Sequence, residues 1–116
     1  MRPLKIACIA VFLLAVCSAA AGKDGLTPRQ GFIDVPGGPV CYRISGNGPG
    51  IPVLALHGGP GGVSCGFARL DPPGEQRPVV RYDQLGTGRS GRPDDLSLWT
   101  VERFVEELHA VRTKLG

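Results

Sequence analysis

A glycine-rich segment, HGGPG at residues 57–61, follows the apolar run IPVLAL and is the stretch of this sequence best suited to chemistry. Residues without side chains let a substrate carbonyl approach the backbone, and amide N–H groups fixed in such a loop can stabilise the oxyanion of an acyl-transfer intermediate. The segment therefore predicts an oxyanion-stabilising loop at the end of a strand. The alternative is that the glycines only permit a tight turn.

A second glycine motif, GTGRSG at residues 86–91, matches G-x-G-x-x-G and follows an apolar run. A dinucleotide site needs a helix to begin at this motif, because the N-terminal amides of that helix bind the pyrophosphate. Here the sequence RPDD follows, and the next helical pattern begins about ten residues later. The spacing argues against a nucleotide cofactor, and no other cofactor is predicted.

A third motif, GVSCG at residues 62–66, matches G-x-S-x-G and offers Ser64 as a nucleophile. A nucleophile elbow is a sharp turn directly between a strand and a helix. Ser64 instead follows a flexible loop, and the single histidine after it, His109, lies in a helical pattern. The sequence favours a capping or loop hydroxyl for Ser64 over a catalytic one.

Apolar runs separated by glycine and proline predict the strands that would position these loops. GFIDV and VCYRI flank the turn PGGP, as in a β-hairpin. IPVLAL is a continuous apolar run and predicts a central strand buried on both faces. A short, weakly patterned helix is possible over residues 63–70, and VVRYD predicts another strand.

The segment 101–115 has the pattern of an amphipathic helix. Thr100 is placed as its N-cap and Gly116 as its C-cap, with glutamates in the first half and Arg112 and Lys114 in the last turn. The apolar residues on one stripe predict the face that packs on the sheet: Val101, Phe104, Val105, Leu108, Val111 and Leu115.

This order of elements predicts an α/β fold in which a hairpin leads into parallel strands with crossover helices. A parallel sheet needs cover on both faces, and one strong helix with one weak helix cannot provide it. We therefore expect an incomplete α/β domain over residues 22–116.

The N-terminus has the pattern of a secretory signal peptide over residues 1–21. Arg2 and Lys5 precede the apolar stretch IACIAVFLLAVC, and the small residues SAAAG follow it. We expect cleavage after Ala20 or Ala21, export to the periplasm or the exterior, and no stable membrane anchor. The sequence LAVC matches a lipoprotein signal poorly because valine occupies the position for a small residue.

Composition bounds the possible partners. The net charge of +3 comes from scattered lysines and arginines, which gives no electrostatic case for nucleic acid. Of the four cysteines, Cys8 and Cys17 fall in the predicted signal peptide. Cys41 and Cys65 remain; export would allow a disulfide between them, whereas two buried small hydrophobic residues are the simpler reading. No metal site is predicted.

Together, VLALHGGPGG at 53–62 and PVVRYDQLGTGRSGRPDD at 78–95 resemble the proline iminopeptidase (prolyl aminopeptidase) branch of the α/β-hydrolase fold, whose members carry HGGPG and then DQxGxGxS. The resemblance covers roughly residues 31–116, and the pair of motifs is fairly specific to this branch. It implies the N-terminal part of an α/β-hydrolase fold.

The resemblance also implies residue roles. The Gly59 amide would contribute to an oxyanion hole, with Gly58 and Gly61 shaping the loop and His57 orienting it. Residues of the second motif would brace the loops beside the site without taking part in catalysis: Asp83, Gln84, Gly86, Gly88, Arg89 and Ser90.

In that family the Ser, Asp and His of the triad follow the helix at 101–115, so the resemblance implies that the triad is absent from this chain. It predicts a fragment of a secreted serine hydrolase that releases N-terminal residues, often proline, from small peptides through an acyl-enzyme; the fragment alone would be inactive. Open alternatives are a small exported binding module without catalysis and another α/β-hydrolase activity, such as that of an esterase or epoxide hydrolase.

Overall fold

A computed structural model describes residues 25–59, 61–71 and 75–116. The predicted signal peptide, with Cys8 and Cys17, lies outside the described residues. The elements in chain order are β1 (Arg29–Val35), β2 (Gly38–Ser45), β3 (Val53–Ala55), a first 3-10 helix (Ser64–Leu70), β4 (Val79–Tyr82), a second 3-10 helix (Leu96–Leu98) and α1 (Val101–Leu115). No helix in these ranges is long and apolar enough to cross a bilayer.

The four strands form one mixed sheet in the order β1-β2-β4-β3. The predicted hairpin is confirmed: β1 pairs antiparallel with β2, and Val35 opposite Gly38 leaves Pro36 and Gly37 as the turn. Gly37 has φ +101°, a conformation that residues with side chains rarely adopt. β2 pairs antiparallel with β4, whereas β3 and β4 run parallel, as predicted for the strands after the hairpin.

The prediction that IPVLAL is a central strand is wrong for the described part of the chain. Only Val53–Ala55 is extended, and β4 is its one hydrogen-bonded neighbour there. Val53 is 36% exposed and Leu56 43% exposed. Within the described residues the apolar run forms a short strand with one neighbour and partly open faces, which composition alone does not distinguish from a central strand.

The core lies between α1 and one face of the sheet. Alternate side chains of the strands meet Leu85, from the loop after β4, and Val111 of α1 there, and the buried cluster consists of Ile33, Val35, Val40, Tyr82, Leu85 and Val111. The other face carries the first 3-10 helix, which confirms the weak helix expected near residues 63–70. All four residues of β4 are buried because this strand is covered on both faces.

The helix at 101–115 is confirmed together with its Thr100 cap, whose side chain accepts a hydrogen bond from the Arg103 N–H. The predicted apolar stripe is wrong in part, since Val101 is 74% exposed and Val105 50% exposed. The helix instead buries Arg103 and Glu107 beside Val111. The helix face that packs on the sheet is therefore rotated from the predicted stripe toward Arg103 and Glu107, which form an ion pair.

This ion pair joins α1 to the rest of the fold. Arg103 Nη1 lies 2.6 Å from Glu107 Oε2, which also accepts the Leu85 N–H at 3.2 Å. Arg103 Nε donates to the Leu98 carbonyl at 2.6 Å. Burial, and then the nearby charge of Glu107, raises the pKa of the Tyr82 hydroxyl well above its ordinary value. These contacts compensate the buried pair only in part, because Arg103 Nη2 and Glu107 Oε1 have no partner among the described residues.

Replacing Glu107 by alanine should destabilise the chain by about 3–5 kcal/mol, because the substitution leaves the Arg103 guanidinium buried and uncompensated. The free energy of unfolding, from urea denaturation followed by circular dichroism, measures this loss. Glu106→Ala is the matched control: Glu106 is exposed on the same helix, so its removal should cost less than about 0.5 kcal/mol. Equal losses for the two variants would contradict a stabilising role for the pair.

Candidate functional site

The glycine loop begins directly after β3 and is fixed by His57. The His57 side chain is buried, with only 6% of the residue exposed. Its Nε2 accepts the backbone N–H of Gln84 at 2.9 Å, and its Nδ1 lies 3.0 Å from the Gly58 carbonyl oxygen. Because Nε2 accepts, the proton is on Nδ1, which therefore donates to Gly58. The ring thus connects the loop to the end of β4.

The hydrogen bond to Gly58 determines where the next amide points. In a planar trans peptide the C=O of one residue and the N–H of the next point in opposite directions. Since the Gly58 carbonyl points at the His57 ring, the Gly59 N–H points away from it. Gly59 is exposed, a Cβ built on it meets nothing within 4 Å, and its N–H has no partner among the described residues. This amide is available to an external acceptor.

The other glycines of the loop differ in what they require. Gly61 has φ +85°, so it needs the freedom of glycine. A Cβ on Gly62 would lie 2.1 Å from the Gly58 oxygen and 3.1 Å from His57 Nδ1. The loop therefore folds back so that Gly62 closes over the carbonyl that His57 holds.

Asp83 joins the glycine loop region to the second motif. Its Oδ1 accepts the Ser64 N–H at 2.8 Å and its Oδ2 accepts the Arg89 N–H at 3.0 Å. Burial would raise the pKa of this carboxyl, but the hydrogen bonds from Arg89 and Ser64 outweigh it and lower the pKa below its ordinary value. The folded chain therefore favours the ionised form of Asp83.

The GTGRSG loop wraps around this carboxylate. Gly88 has φ +49°, and a Cβ on it would lie 2.2 Å from Asp83 Oδ2. The Ser90 hydroxyl donates to the Asp83 carbonyl at 2.5 Å and accepts the Cys41 N–H at 2.8 Å. Gly86 has φ +86° and packs against Trp99. A loop whose glycines enclose a carboxylate is unsuited to a pyrophosphate, and α1 begins ten residues after it.

In the part of the chain that the structure describes, no histidine is hydrogen-bonded to Ser64 as a base. It is the first residue of the first 3-10 helix, and Val63 rather than Ser64 is the N-cap. The predicted capping role is therefore wrong by one position: the Asp83 carboxylate binds the helix N–H from another segment. His109 is exposed on α1. Among the described residues no group of three His, Cys, Asp or Glu side chains is placed as metal ligands.

Two contacts at the site have no counterpart in the sequence analysis. The Thr87 hydroxyl donates to the Gln84 carbonyl at 2.8 Å and lies 3.2 Å from His57 Nε2. The position of this hydroxyl residue between two glycines of the motif could have indicated such a role.

The prediction that Cys41 and Cys65 are both buried is wrong for one of them: Cys41 is buried, Cys65 is exposed, and both are free. Burial, the largest influence, raises the pKa of the Cys41 thiol.

No family model matches the chain. Curated relatives do: a proline iminopeptidase of Heyndrickxia coagulans is 49% identical over 88 residues, 75% of this chain and 31% of the relative. A proline iminopeptidase of Lactiplantibacillus plantarum is 47% identical over 78 residues, 64% of this chain and 27% of the relative. The chain thus spans about a third of the length of these relatives.

Solved structures show the same resemblance. A proline iminopeptidase of Mycobacterium smegmatis matches with a TM-score of 0.64 and 32% identity, over 76% of this chain and 32% of that chain. An epoxide hydrolase of Vigna radiata matches with a TM-score of 0.67 and 24% identity, over 77% and 29%, which shows the fold alone. The described residues form part of an α/β-hydrolase fold, as predicted, and the resemblance to proline iminopeptidases is confirmed.

Replacing Asp83 by asparagine should make the chain less stable and less sensitive to acid. The amide can accept only one of the two N–H groups, which costs about 1–3 kcal/mol. Because the folded carboxyl has a lowered pKa, its contribution is present above about pH 4 and is lost as the pH falls through the folded pKa.

The free energy of unfolding, measured at steps from pH 7 down to pH 3, tests this expectation. The wild type should lose stability toward the acid end, and Asp83→Asn should show less of this loss. Asp94→Asn, at an exposed position in the same loop, should follow the wild-type curve. An unchanged slope in Asp83→Asn would contradict the role of the carboxylate.

Alanine at Gly62 should disrupt the loop, whereas alanine at Gly59 should not. The Gly62 methyl group would clash with backbone and with the His57 ring, so we expect a loss of about 1–3 kcal/mol. The Gly59 methyl group would enter open space and should change stability by less than about 0.5 kcal/mol. Thermal unfolding of both variants measures the difference, and similar melting temperatures would refute this loop geometry.

Proposed function

From the α/β-hydrolase fold and the similarity to proline iminopeptidases, we propose that this chain supplies an oxyanion-binding amide of a serine hydrolase that removes N-terminal residues, often proline, from small peptides. The chain would form part of a longer protein of the length of its relatives. The 116 residues alone would be inactive.

One observation carries the proposal: the Gly59 N–H is unpaired among the described residues and points away from the ring that holds the loop. An amide N–H fixed in this way can donate a hydrogen bond to a substrate oxygen on which negative charge develops, without first reorganising. His57 fixes it by holding the preceding carbonyl, and Gln84 fixes His57.

The chemistry that such an amide serves is acyl transfer. A serine hydroxyl attacks the substrate carbonyl while a base takes its proton, and the carbonyl oxygen becomes an oxyanion that the Gly59 N–H would stabilise. The amine then leaves with a proton, and water releases the acyl group. We place the serine, the base and the second amide donor in the longer protein, because no histidine of the described residues is hydrogen-bonded to Ser64 and the neighbouring Asp83 carboxylate already accepts two backbone N–H groups.

The residues of the GTGRSG region would support the HGGPG loop without contacting substrate. Asp83 ties the segment after the glycine loop to the GTGRSG loop, and Ser90 ties that loop to β2. With the neighbouring residues Gln84, Gly86, Gly88 and Arg89, they keep the His57 hydrogen bond in register. None of them is assigned contact with substrate.

Export is a further part of the proposal. The basic and then apolar N-terminal pattern of residues 1–21 supports cleavage after Ala20 or Ala21 and a periplasmic or secreted protein. This part concerns residues outside the described structure and depends on their sequence alone.

The test compares two proteins: the 116-residue chain, and the chain extended by the coding sequence that follows the Gly116 codon. The extended protein should hydrolyse a prolyl-p-nitroanilide, and the shorter chain should not. In the extended protein, Gly59→Pro removes the amide hydrogen and should lower kcat by about 10²- to 10³-fold with little change in KM. Gly59→Ala keeps the hydrogen and is the matched control, expected within a few-fold of wild type.

Three outcomes would overturn the proposal. Turnover by the 116-residue chain that is lost in Ser64→Ala would assign catalysis to Ser64 instead. Hydrolysis of esters or epoxides without any hydrolysis of aminoacyl-arylamides would indicate another activity of the fold. A stop codon after Gly116, with cooperative unfolding of the inactive chain, would support a binding module without catalysis.

A further inference from the structure

A cavity of about 460 Å³ lies between the sheet and the first 3-10 helix, away from the Gly59 amide. Three guanidinium groups line it, those of Arg43 on β2, Arg81 on β4 and Arg89 in the GTGRSG loop. One carboxylate, that of Asp83, lines it too, but each of its oxygens already accepts a backbone N–H. The lining therefore has an excess of positive charge.

Two of the arginines are placed against each other by the sheet. Arg43 and Arg81 are direct partners in the antiparallel pairing of β2 with β4, so their side chains leave the sheet on the same face. Directly opposed residues have Cβ atoms about 4.5–5.5 Å apart, and like charges in this position destabilise a sheet. Arg81 has an acidic partner, Asp71, at 3.1 Å, whereas Arg43 has none among the described residues.

The arginines keep hydrogen-bond donors unused. The Arg81 side chain is 9% exposed; its two terminal nitrogens donate to Asp71 and to the Ser64 carbonyl, and its buried Nε has no partner in the described part of the chain. The guanidinium groups of Arg43 and Arg89 make no hydrogen bond to any described residue. Arg43 and Arg89 are exposed, so water meets their donors, and the buried Arg81 Nε is the donor of the three guanidinium groups that the described residues leave without a partner.

We propose that this cavity binds a small oxyanion, a carboxylate or a phosphoryl group, held by Arg43, Arg81 and Arg89. Planar guanidinium groups bind both kinds of anion through paired N–H donors. An anion there would neutralise the opposed charges on β2 and β4 and accept hydrogen bonds from the exposed guanidinium groups of Arg43 and Arg89. The proposal does not rest on the proposed hydrolase activity, because it uses neither the HGGPG loop nor a nucleophile, although the cavity shares Asp83 and Arg89 with the supporting GTGRSG region.

The test is a titration of the full 116-residue chain with inorganic phosphate and, separately, with acetate at constant ionic strength. Side-chain Nε–H and backbone signals of the arginines, followed by ¹⁵N NMR, should shift and saturate. The tighter of the two anions assigns the site to phosphoryl groups or to carboxylates. Arg43→Gln should weaken the binding by about tenfold, the effect of one charge-assisted hydrogen bond.

Arg112→Gln is the matched control, since it removes the same charge from an exposed position on α1 and should change the affinity by less than about twofold. Arg89→Gln, also at an exposed position, provides a second variant if Arg43→Gln fails to fold. NMR shifts that never saturate with either anion, or equal weakening of anion binding by Arg43→Gln and Arg112→Gln, would overturn the proposed site. The anions would then act only by screening the net charge of the chain.

The stability of the variants gives a second readout. Without phosphate, Arg43→Gln should unfold at the same temperature as wild type or above it, because the like-charge pair is removed. Phosphate should raise the melting temperature of the wild type and of Arg112→Gln, but not that of Arg43→Gln. A rise of equal size in all three proteins would refute a specific site.

Discussion

The arrangement of the candidate site depends on the two hydrogen bonds that the Asp83 carboxylate accepts. One comes from the start of the first 3-10 helix at Ser64 and the other from the GTGRSG loop at Arg89. The backbone of the same residue bonds to Cys41 directly and through the Ser90 hydroxyl. Segments that are far apart in the chain are therefore fixed by one charged group, which two N–H donors keep ionised.

The orientation of the glycine loop follows from this arrangement. Gln84 comes directly after Asp83, so its N–H is held at the end of β4, where the His57 ring accepts it. The ring then binds the Gly58 carbonyl, and the planar peptide turns the Gly59 N–H outward. A rigid amide at this position is what oxyanion stabilisation requires, because its value depends on being oriented before the reaction.

Charged side chains fix both faces of β4, and they do so differently. On the α1 side, Glu107 accepts from Arg103 and from the Leu85 backbone, which selects one rotation of the helix. Such a pair contributes little net stability compared with apolar residues of the same size. It makes other packings of the helix costly, because each of them would leave a buried charge without a partner. On the opposite side, Arg81 has one carboxylate partner and faces Arg43 across the strands. These opposed charges, with Arg89 beside them, are the basis for the proposed anion site.

The sequence by itself determined the strands of the hairpin, β4, the limits of α1 and the resemblance carried by HGGPG and DQLGTGRS, because these depend on local spacing, turn residues and caps. It also placed His57 and Gly59 in one loop. Only the tertiary structure decided which amide of that loop is free, which strand lies at the edge, and which helix face is buried. Those features depend on hydrogen bonds between distant segments, such as Gln84 to His57 and Leu85 to Glu107, and no periodicity within a single segment encodes them.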